Sequence, residues 1–209
     1  MERYRRMLTI DSLGRVIDPK VTLSIKPNIE HGSMTQINGI IIHQTGGPTA
    51  QSALSAYSQG GNGAHFLIDK DGTIYQTASV YKVTWHVGKL KIRCLSENSC
   101  GADEAKKLKK MKWSEQLKYG KDEERKKKFP ERYPSNEDSL GIELVGEATP
   151  SKDPNIKGEI YETITEAQNT SLKWLVFELT VTLGLPMSEI YRHPVVSYKN
   201  PTEAETAKW

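Results

Sequence analysis

A run of three isoleucines between glycines most constrains what this chain can fold into. Residues 38–47 read NGIIIHQTGG, and an apolar run of this kind between turn residues predicts a strand that is buried on both faces. His43 stands at the end of this strand, and packing alone does not explain it, because a buried imidazole without a partner costs free energy. A helical pattern follows, with Thr49 as its N-cap. A strand end, a histidine, a turn and a helix together present a side chain to a cleft; the alternative is a core histidine bonded to backbone.

Three further stretches have strand patterns. Residues 64–77 contain two short apolar runs on either side of Lys70-Asp71-Gly72, which predicts a β-hairpin because Asp-Gly favours the positive φ angles of a tight turn. Residues 139–146 form another apolar run, which Glu143 interrupts. A short edge strand is also predicted at Val21–Ile25, between two prolines.

One long helix is predicted in the C-terminal part of the chain. Thr165 and Gln168 have the spacing of a capping box, four leucines and Val176 follow on one face, and Gly184 ends the pattern. A loop is expected from Ile190 onward, and it contains His193. Strands and helices of this kind in 209 residues predict a single α/β domain over residues 1–209.

The positive charge of the chain is concentrated in residues 89–138. This segment holds 15 basic and 10 acidic residues, whereas the rest of the chain holds 14 basic and 16 acidic ones. We predict that it is a charged insertion folded on the surface, because no core pattern runs through it. A nucleic-acid site would need basic residues with interleaved aromatics along one face, so nucleic acid is not an expected partner.

The sequence predicts neither a membrane span nor a general secretory signal. No run of about 18 apolar residues occurs, so no membrane span is predicted. Residues 1–8 include basic side chains but no apolar core or cleavage site, so no general secretory signal is predicted. Cys94 and Cys100 are not spaced as a C-x-x-C pair; a small disulfide loop and two free thiols both fit.

Several short motifs resemble, in order, those of the type 2 N-acetylmuramoyl-L-alanine amidases, zinc enzymes that share a fold with the peptidoglycan recognition proteins. The motifs are IIIHQT at residues 40–45, AHFLIDKDGTIYQ at 64–76, WHVG at 85–88, SLGIEL at 139–144 and RHP at 192–194. The resemblance covers about residues 37–88 and 139–209. It implies a central mixed β-sheet flanked by α-helices, with Zn²⁺ bound in a surface groove.

The resemblance also assigns metal ligands. His43 and His193 resemble the first two zinc ligands of the family. The third family ligand is an aspartate or cysteine before a Pro-Gly pair, but here Asn200 precedes the proline and no glycine follows. Glu203 is the predicted third ligand because a carboxylate oxygen suits zinc, and Asn200 and Glu205 remain alternatives.

Catalytic and substrate-binding roles follow from the same resemblance. Glu143 resembles the glutamate that acts as the general base, and Ala64 stands where other relatives have a catalytic tyrosine, which favours the glutamate type. Lys199 resembles the basic residue that stabilises the oxyanion. His86 and Trp85 are predicted to bind substrate in the groove.

The implied reaction is hydrolysis of the amide bond between N-acetylmuramic acid and L-alanine of the peptidoglycan stem peptide. The predicted substrate is peptidoglycan or a muropeptide. The predicted setting is an antibacterial effector, such as one delivered by type VI secretion, made in the cytoplasm and acting on the cell wall in the periplasm, with an immunity protein as a possible partner. Alternatives are a phage lysin, a cytosolic muropeptide-recycling amidase, and a zinc-free peptidoglycan-binding module.

Overall fold

A sheet of seven strands lies at the centre of the computed structural model, which describes residues 8–152 and 158–209. Before it, β1 (Thr9–Ile10) and β2 (Val16–Ile17) form a separate antiparallel pair. The strands of the sheet are β3 (Val21–Leu23), β4 (Gly39–Gly46), β5 (Phe66–Ile68), β6 (Ile74–Gln76), β7 (Ser139–Pro150), β8 (Glu159–Tyr161) and β9 (Ile190–Arg192).

The order across the sheet is β3-β6-β5-β7-β4-β9, and β8 pairs with the end of β7. The β5–β6 and β7–β8 pairs are antiparallel and the remaining pairs are parallel. The sheet is therefore mixed, which confirms the predicted fold class.

In the described part of the chain, six helices flank or follow the strands. They are α1 (Ala50–Gln59), α2 (Arg93–Ser96), α3 (Ala102–Lys109), α4 (Trp113–Asp122), α5 (Glu166–Leu183) and α6 (His193–Val196), with 3-10 turns at Pro27–Ile29, Glu124–Lys126 and Met187–Glu189. The predicted caps are confirmed: Thr49 accepts a hydrogen bond from the amide of Ser52 at 3.2 Å, and Thr165 forms a capping box with Gln168. Gly184 ends α5 with a φ of 68°.

Strand β4 is buried on both faces, as its sequence predicted. Ile40 and Ile42 belong to the main core together with α5, and Ile41 packs on the opposite face against a second cluster. Because apolar groups cover both faces, the isoleucines do not alternate with polar residues.

The prediction of a loop from Ile190 onward is wrong for its first residues. Residues Ile190–Arg192 form β9, which pairs in parallel with β4, and α6 begins directly afterwards at His193. Three residues are too few to show a strand period in the sequence, so pairing with β4 decides the conformation.

The segment 89–138 contains α2, α3 and α4 and a disulfide between Cys94 and Cys100. The structure therefore selects the disulfide from the two alternatives left open by the sequence. Leu90 and Tyr133, near the two ends of the segment, are buried against Ile41 of β4. The boundaries of the insertion remain a prediction, and its ends contribute to the packing behind the site.

Two predictions concern membranes and secretion. Among the described residues, no helix is both long and apolar enough to cross a bilayer. Residues 1–7, on which most of the secretory-signal prediction rests, lie outside the described part of the chain.

Candidate metal centre and active site

Three neighbouring parallel strands, β7, β4 and β9, bring the predicted site residues together. His43 was expected at the end of its strand, but pairing with β7 extends β4 to Gly46. In the register of β4 with β7, His43 pairs with Glu143. In the register of β4 with β9, Ile42 pairs with Arg192, so His193 follows at the level of His43. Side chains from sequence positions 100 and 150 residues apart thus meet at one edge of the sheet.

His43, His193 and Glu203 form a buried cluster at this edge. Their potential ligand atoms all lie within 4.8 Å of one another. Nδ1 of His193 is 2.9 Å from Oε1 of Glu203, and Nδ1 of His43 is 3.5 Å from the same oxygen. The two imidazole centroids are 4.2 Å apart. Two imidazoles and a carboxylate are donor groups that zinc binds, so this cluster could hold the ion.

The hydrogen-bond partners of His193 show whether the cluster fits a cation. Nε2 of His193 lies 2.8 Å from the carbonyl oxygen of Val87, which can only accept, so Nε2 carries a proton. In a neutral ring Nδ1 is then an acceptor, and it faces the acceptor Oε1 of Glu203 at 2.9 Å. Two acceptors this close need a proton or a metal ion between them. The geometry therefore fits a bound cation.

Glu203 is placed by the residue that follows His43. The side chain of Gln44 accepts a hydrogen bond from the amide of Ala204 at 3.2 Å and donates one to the carbonyl of Glu162 at 2.8 Å. Burial alone would raise the pKa of Glu203, but the hydrogen bonds with His193 and His43 outweigh it and lower this pKa to about 2. The carboxylate is therefore held ionised in a buried position.

The two alternative third ligands lie in different surroundings. The amide nitrogen of Asn200 donates to the carbonyl of Glu159 at 2.6 Å, and its oxygen accepts from Thr202. Glu205 is exposed and does not belong to the group formed by His43, His193 and Glu203. The side chain of Asn200 thus stabilises the loop through hydrogen bonds, whereas the carboxylate of Glu203 faces both histidines.

Glu143 lies beside this cluster and is half-buried. Burial raises the pKa of its carboxyl group, Tyr57 opposes part of this shift, and the charge of Glu203 adds to it. Tyr57 comes from α1, and burial together with the charge of Glu143 raises its pKa. Among the described residues, no hydrogen bond of normal geometry reaches the buried hydroxyl of Tyr57.

A cleft of about 1050 Å³ opens over the cluster and Glu143. Lys199 lines it with an exposed side chain, and the positive charge of Lys199 contributes to lowering the pKa values of both His43 and Glu143. Burial is the main reason that the pKa of His43 is lowered, to about 4. The unprotonated form of His43, which a metal ion requires, is therefore favoured.

His86 and Trp85, the predicted substrate-binding residues, both line the cleft. Trp85 is 47% exposed and stacks on His31 with ring centroids 3.6 Å apart. The backbone amides of His86 and Val87 both donate to the side-chain oxygen of Asn136, at 3.0 and 2.8 Å. Asn136 therefore connects the segment 89–138 to the wall of the cleft.

With this geometry, the comparison with known families is decisive. The sequence pattern of the N-acetylmuramoyl-L-alanine amidase family matches residues 33–207. The chain belongs to this amidase family. No curated protein sequence matches it.

Solved structures similar to this amidase include further amidases. A selenomethionine derivative of AmpD has a TM-score of 0.55 and 15% identity, covering 93% of this chain and 94% of that one. AmpDh3 from Pseudomonas aeruginosa has a TM-score of 0.50 and 17% identity, covering 91% of this chain and 58% of that one. The endolysin LysCS from Clostridium intestinale URNW has 20% identity and a TM-score of 0.46, covering 87% and 85% of the two chains. At these identities the likeness of the first two shows a shared fold.

Three residues at the site of this amidase escaped the sequence analysis. No role at the site was predicted for Tyr57, Gln44 or Asn136, although Tyr57 falls within the helical pattern that follows Thr49. Helical spacing places the Tyr57 ring against the core, but it does not show which polar group its hydroxyl approaches. Gln44 and Asn136 act through hydrogen bonds to backbone groups that are distant in sequence, and spacing carries no signal for such bonds.

Proposed function

We propose that this amidase is zinc-dependent and hydrolyses the amide bond between N-acetylmuramic acid and L-alanine of the stem peptide. The observation that carries the proposal is the buried cluster of His43, His193 and Glu203 beside Glu143, at the edge of the sheet and under an open cleft. A purely binding protein needs neither a buried set of metal ligands nor a carboxyl group with a raised pKa beside it.

Zinc held by His43, His193 and Glu203 would supply Lewis-acid chemistry toward a carbonyl group and a water molecule. Glu143 is the proposed general base: its carboxylate takes a proton from the attacking water and returns it to the leaving amine. Its raised pKa supports this role, because a base works best when its pKa lies near the operating pH.

Lys199 is the proposed oxyanion-stabilising residue. Its ammonium group lines the cleft, and its charge acts on both His43 and Glu143, so it lies within electrostatic reach of the reaction centre. Stabilisation of a developing negative charge by such a group is typically worth about 3 kcal/mol. Trp85 and His86 are proposed to contact substrate along the cleft wall.

The proposed biological role is that of an antibacterial effector that degrades cell-wall peptidoglycan in the periplasm, with an immunity protein as its partner. The Cys94–Cys100 disulfide supports an oxidising destination. A recycling amidase of a reducing cytosol would not retain such a bond, whereas a phage lysin remains compatible with it.

The test combines metal analysis with an assay for the newly released amine of L-alanine, using a muramoyl-peptide substrate. We expect one zinc per chain in the wild type, and the same zinc content with turnover lowered about 100-fold or more in Glu143→Gln. Glu147→Gln is the matched control, because Glu147 is exposed on the same strand and does not line the cleft. A folded wild-type chain that binds sacculi without zinc or amine release would identify a binding module instead.

A further inference from the structure

The two ring nitrogens of His43 face different partners. Nδ1 faces Glu203, whereas Nε2 lies 3.0 Å from Nδ1 of His86. His86 belongs to neither group of potential metal ligands found among the described residues. It therefore contacts His43 from the side away from Glu203.

The partners of His86 fix which of its nitrogens carries the proton. Nε2 of His86 is 3.3 Å from the carbonyl oxygen of Ser139 and 3.4 Å from the Ser139 hydroxyl oxygen. That hydroxyl donates its own proton to the carbonyl of Ser135 at 2.5 Å, so both Ser139 groups accept. Nε2 of His86 must be the donor, and Nδ1 of a neutral His86 is left as an acceptor.

The proton position on His86 determines which nitrogen of His43 carries a proton. Because Nδ1 of His86 accepts, Nε2 of His43 carries a proton and donates it at 3.0 Å. Nδ1 of His43 is then left with a free electron pair directed toward Glu203. Histidine ligands of metal ions are commonly oriented by such a partner at the other ring nitrogen.

The ring of His86 is also held in place by packing. A Cβ atom at position 141 would lie 2.9 Å from Cγ and Nδ1 of His86, so Gly141 leaves the space that the ring fills. The backbone amide of His86 is bonded to Asn136 at 3.0 Å. Both the side chain and the main chain of His86 are thus fixed.

We propose that His86 is a positioning residue that accepts a hydrogen bond from His43 and so keeps Nδ1 of His43 free for a metal ion. The proposal rests on the proposed zinc dependence and deepens it. It assigns His86 a role in metal binding before any substrate is present, in addition to its place in the wall of the cleft.

Two substitutions at one position separate this role from general packing. His86→Asn places a side-chain oxygen near the position of Nδ1 and keeps an acceptor for His43, whereas His86→Leu fills similar space without one. His31→Leu is the control, because it removes a histidine that stacks on Trp85 and has no contact with the cluster. Zinc affinity is measured without substrate by competition with a chelator.

We expect His86→Leu to bind zinc about 10- to 100-fold more weakly than the wild type, the usual cost of losing an outer partner of a metal ligand. His86→Asn should recover most of the affinity, and His31→Leu should leave it unchanged. The ring ¹⁵N shifts of His43 in the metal-free protein should show protonation at Nε2 in the wild type and in His86→Asn, and a mixture of tautomers in His86→Leu.

Equal zinc affinity and an unchanged His43 tautomer in His86→Leu would overturn the proposal while leaving zinc dependence intact. An equal loss in His86→Leu and His86→Asn would also overturn it, because it would show a packing effect. A wild-type chain that binds no zinc would overturn the proposed function and this inference together.

Discussion

Among individual residues, the histidines differ most in what surrounds them. His65 is completely buried, and both of its ring nitrogens form hydrogen bonds with the main chain. Nε2 lies 2.8 Å from the Lys82 carbonyl oxygen, and Nδ1 accepts a hydrogen bond from the Gly141 amide at 3.0 Å. His43 is nearly as buried but faces Glu203 and His86. Burial alone therefore does not separate a structural histidine from a proposed metal ligand, whereas the nature of the hydrogen-bond partner does.

His65 leads to a prediction about stability and pH. Burial lowers its pKa from 6.5 to about 4, so between these values the unfolded chain binds a proton that the folded chain does not. The contribution of His65 to stability is complete above about pH 6.5 and is lost progressively toward pH 4, by about 3 kcal/mol. We expect the wild type to lose more unfolding free energy than His65→Asn between about pH 7.5 and about pH 4.5.

The measurement is denaturant unfolding of both proteins at the two pH values, with a chelator present so that metal binding does not contribute. The difference between the wild type and His65→Asn isolates His65 from the other buried histidines. A difference that is the same at both pH values would contradict the prediction.

At the scale of secondary-structure elements, the sequence predicted the elements that carry a strong local pattern. Strands β4 and β7, the β5–β6 hairpin and helix α5 were predicted from apolar runs, an Asp-Gly turn and caps. β9 and α6 were not, because each is short and is stabilised by contacts with distant parts of the chain. The edge position of β3 was predicted from its flanking prolines.

The residues of the candidate site also divide into those that the sequence predicted and those that depend on contacts between distant parts of the chain. Resemblance to the amidase family supplied His43, His193 and Glu143, which lie within β4, directly after β9 and within β7. Glu203 was chosen for its chemistry, since the family pattern breaks at Asn200. The residues that orient this site, Gln44 and Asn136, were missed because their hydrogen bonds join loops that the sequence does not place side by side.

The segment 89–138 leads to a prediction about local stability. Helices α3 and α4 carry mostly exposed charged residues, whereas the ends of the segment are buried at Leu90 and Tyr133. Segments with few buried apolar contacts open most readily and are cleaved first. We expect limited proteolysis to cut first between residues 101 and 128.

Proteinase K is the suitable protease, because trypsin would favour this lysine-rich segment whatever its stability. Fragments identified by mass spectrometry at early times locate the first cuts. Early cuts between Ile37 and Gly88 would contradict the prediction, because that range contains the central strands and α1.

At the scale of the whole molecule, the proposed metal site joins parts of the chain that are far apart in sequence. His43 lies in β4 in the first quarter of the chain, His193 follows the last strand, and Glu203 lies in the loop before the C-terminus. A ligand that binds only the folded chain stabilises it by mass action. A metal ion at this site would therefore stabilise the whole fold as well as the local loop.

This linkage gives a prediction that also tests the third ligand. Zinc at about 100 times its dissociation constant should add about 2.7 kcal/mol of stability and raise the Tm by about 5–10 °C for a chain of this size. Glu203→Ala should lose most of this rise, because it leaves two histidines and no carboxylate to balance the charge of the ion.

Glu205→Ala is the matched control, since Glu205 is an exposed glutamate two residues away, and it should keep the full rise. Asn200→Ala should lower the Tm with and without zinc by a similar amount, because its amide ties the loop to Glu159. Thermal unfolding of the four proteins with zinc and with a chelator decides the question. A full rise in Glu203→Ala, with a loss in Asn200→Ala or Glu205→Ala, would move the third ligand to that residue.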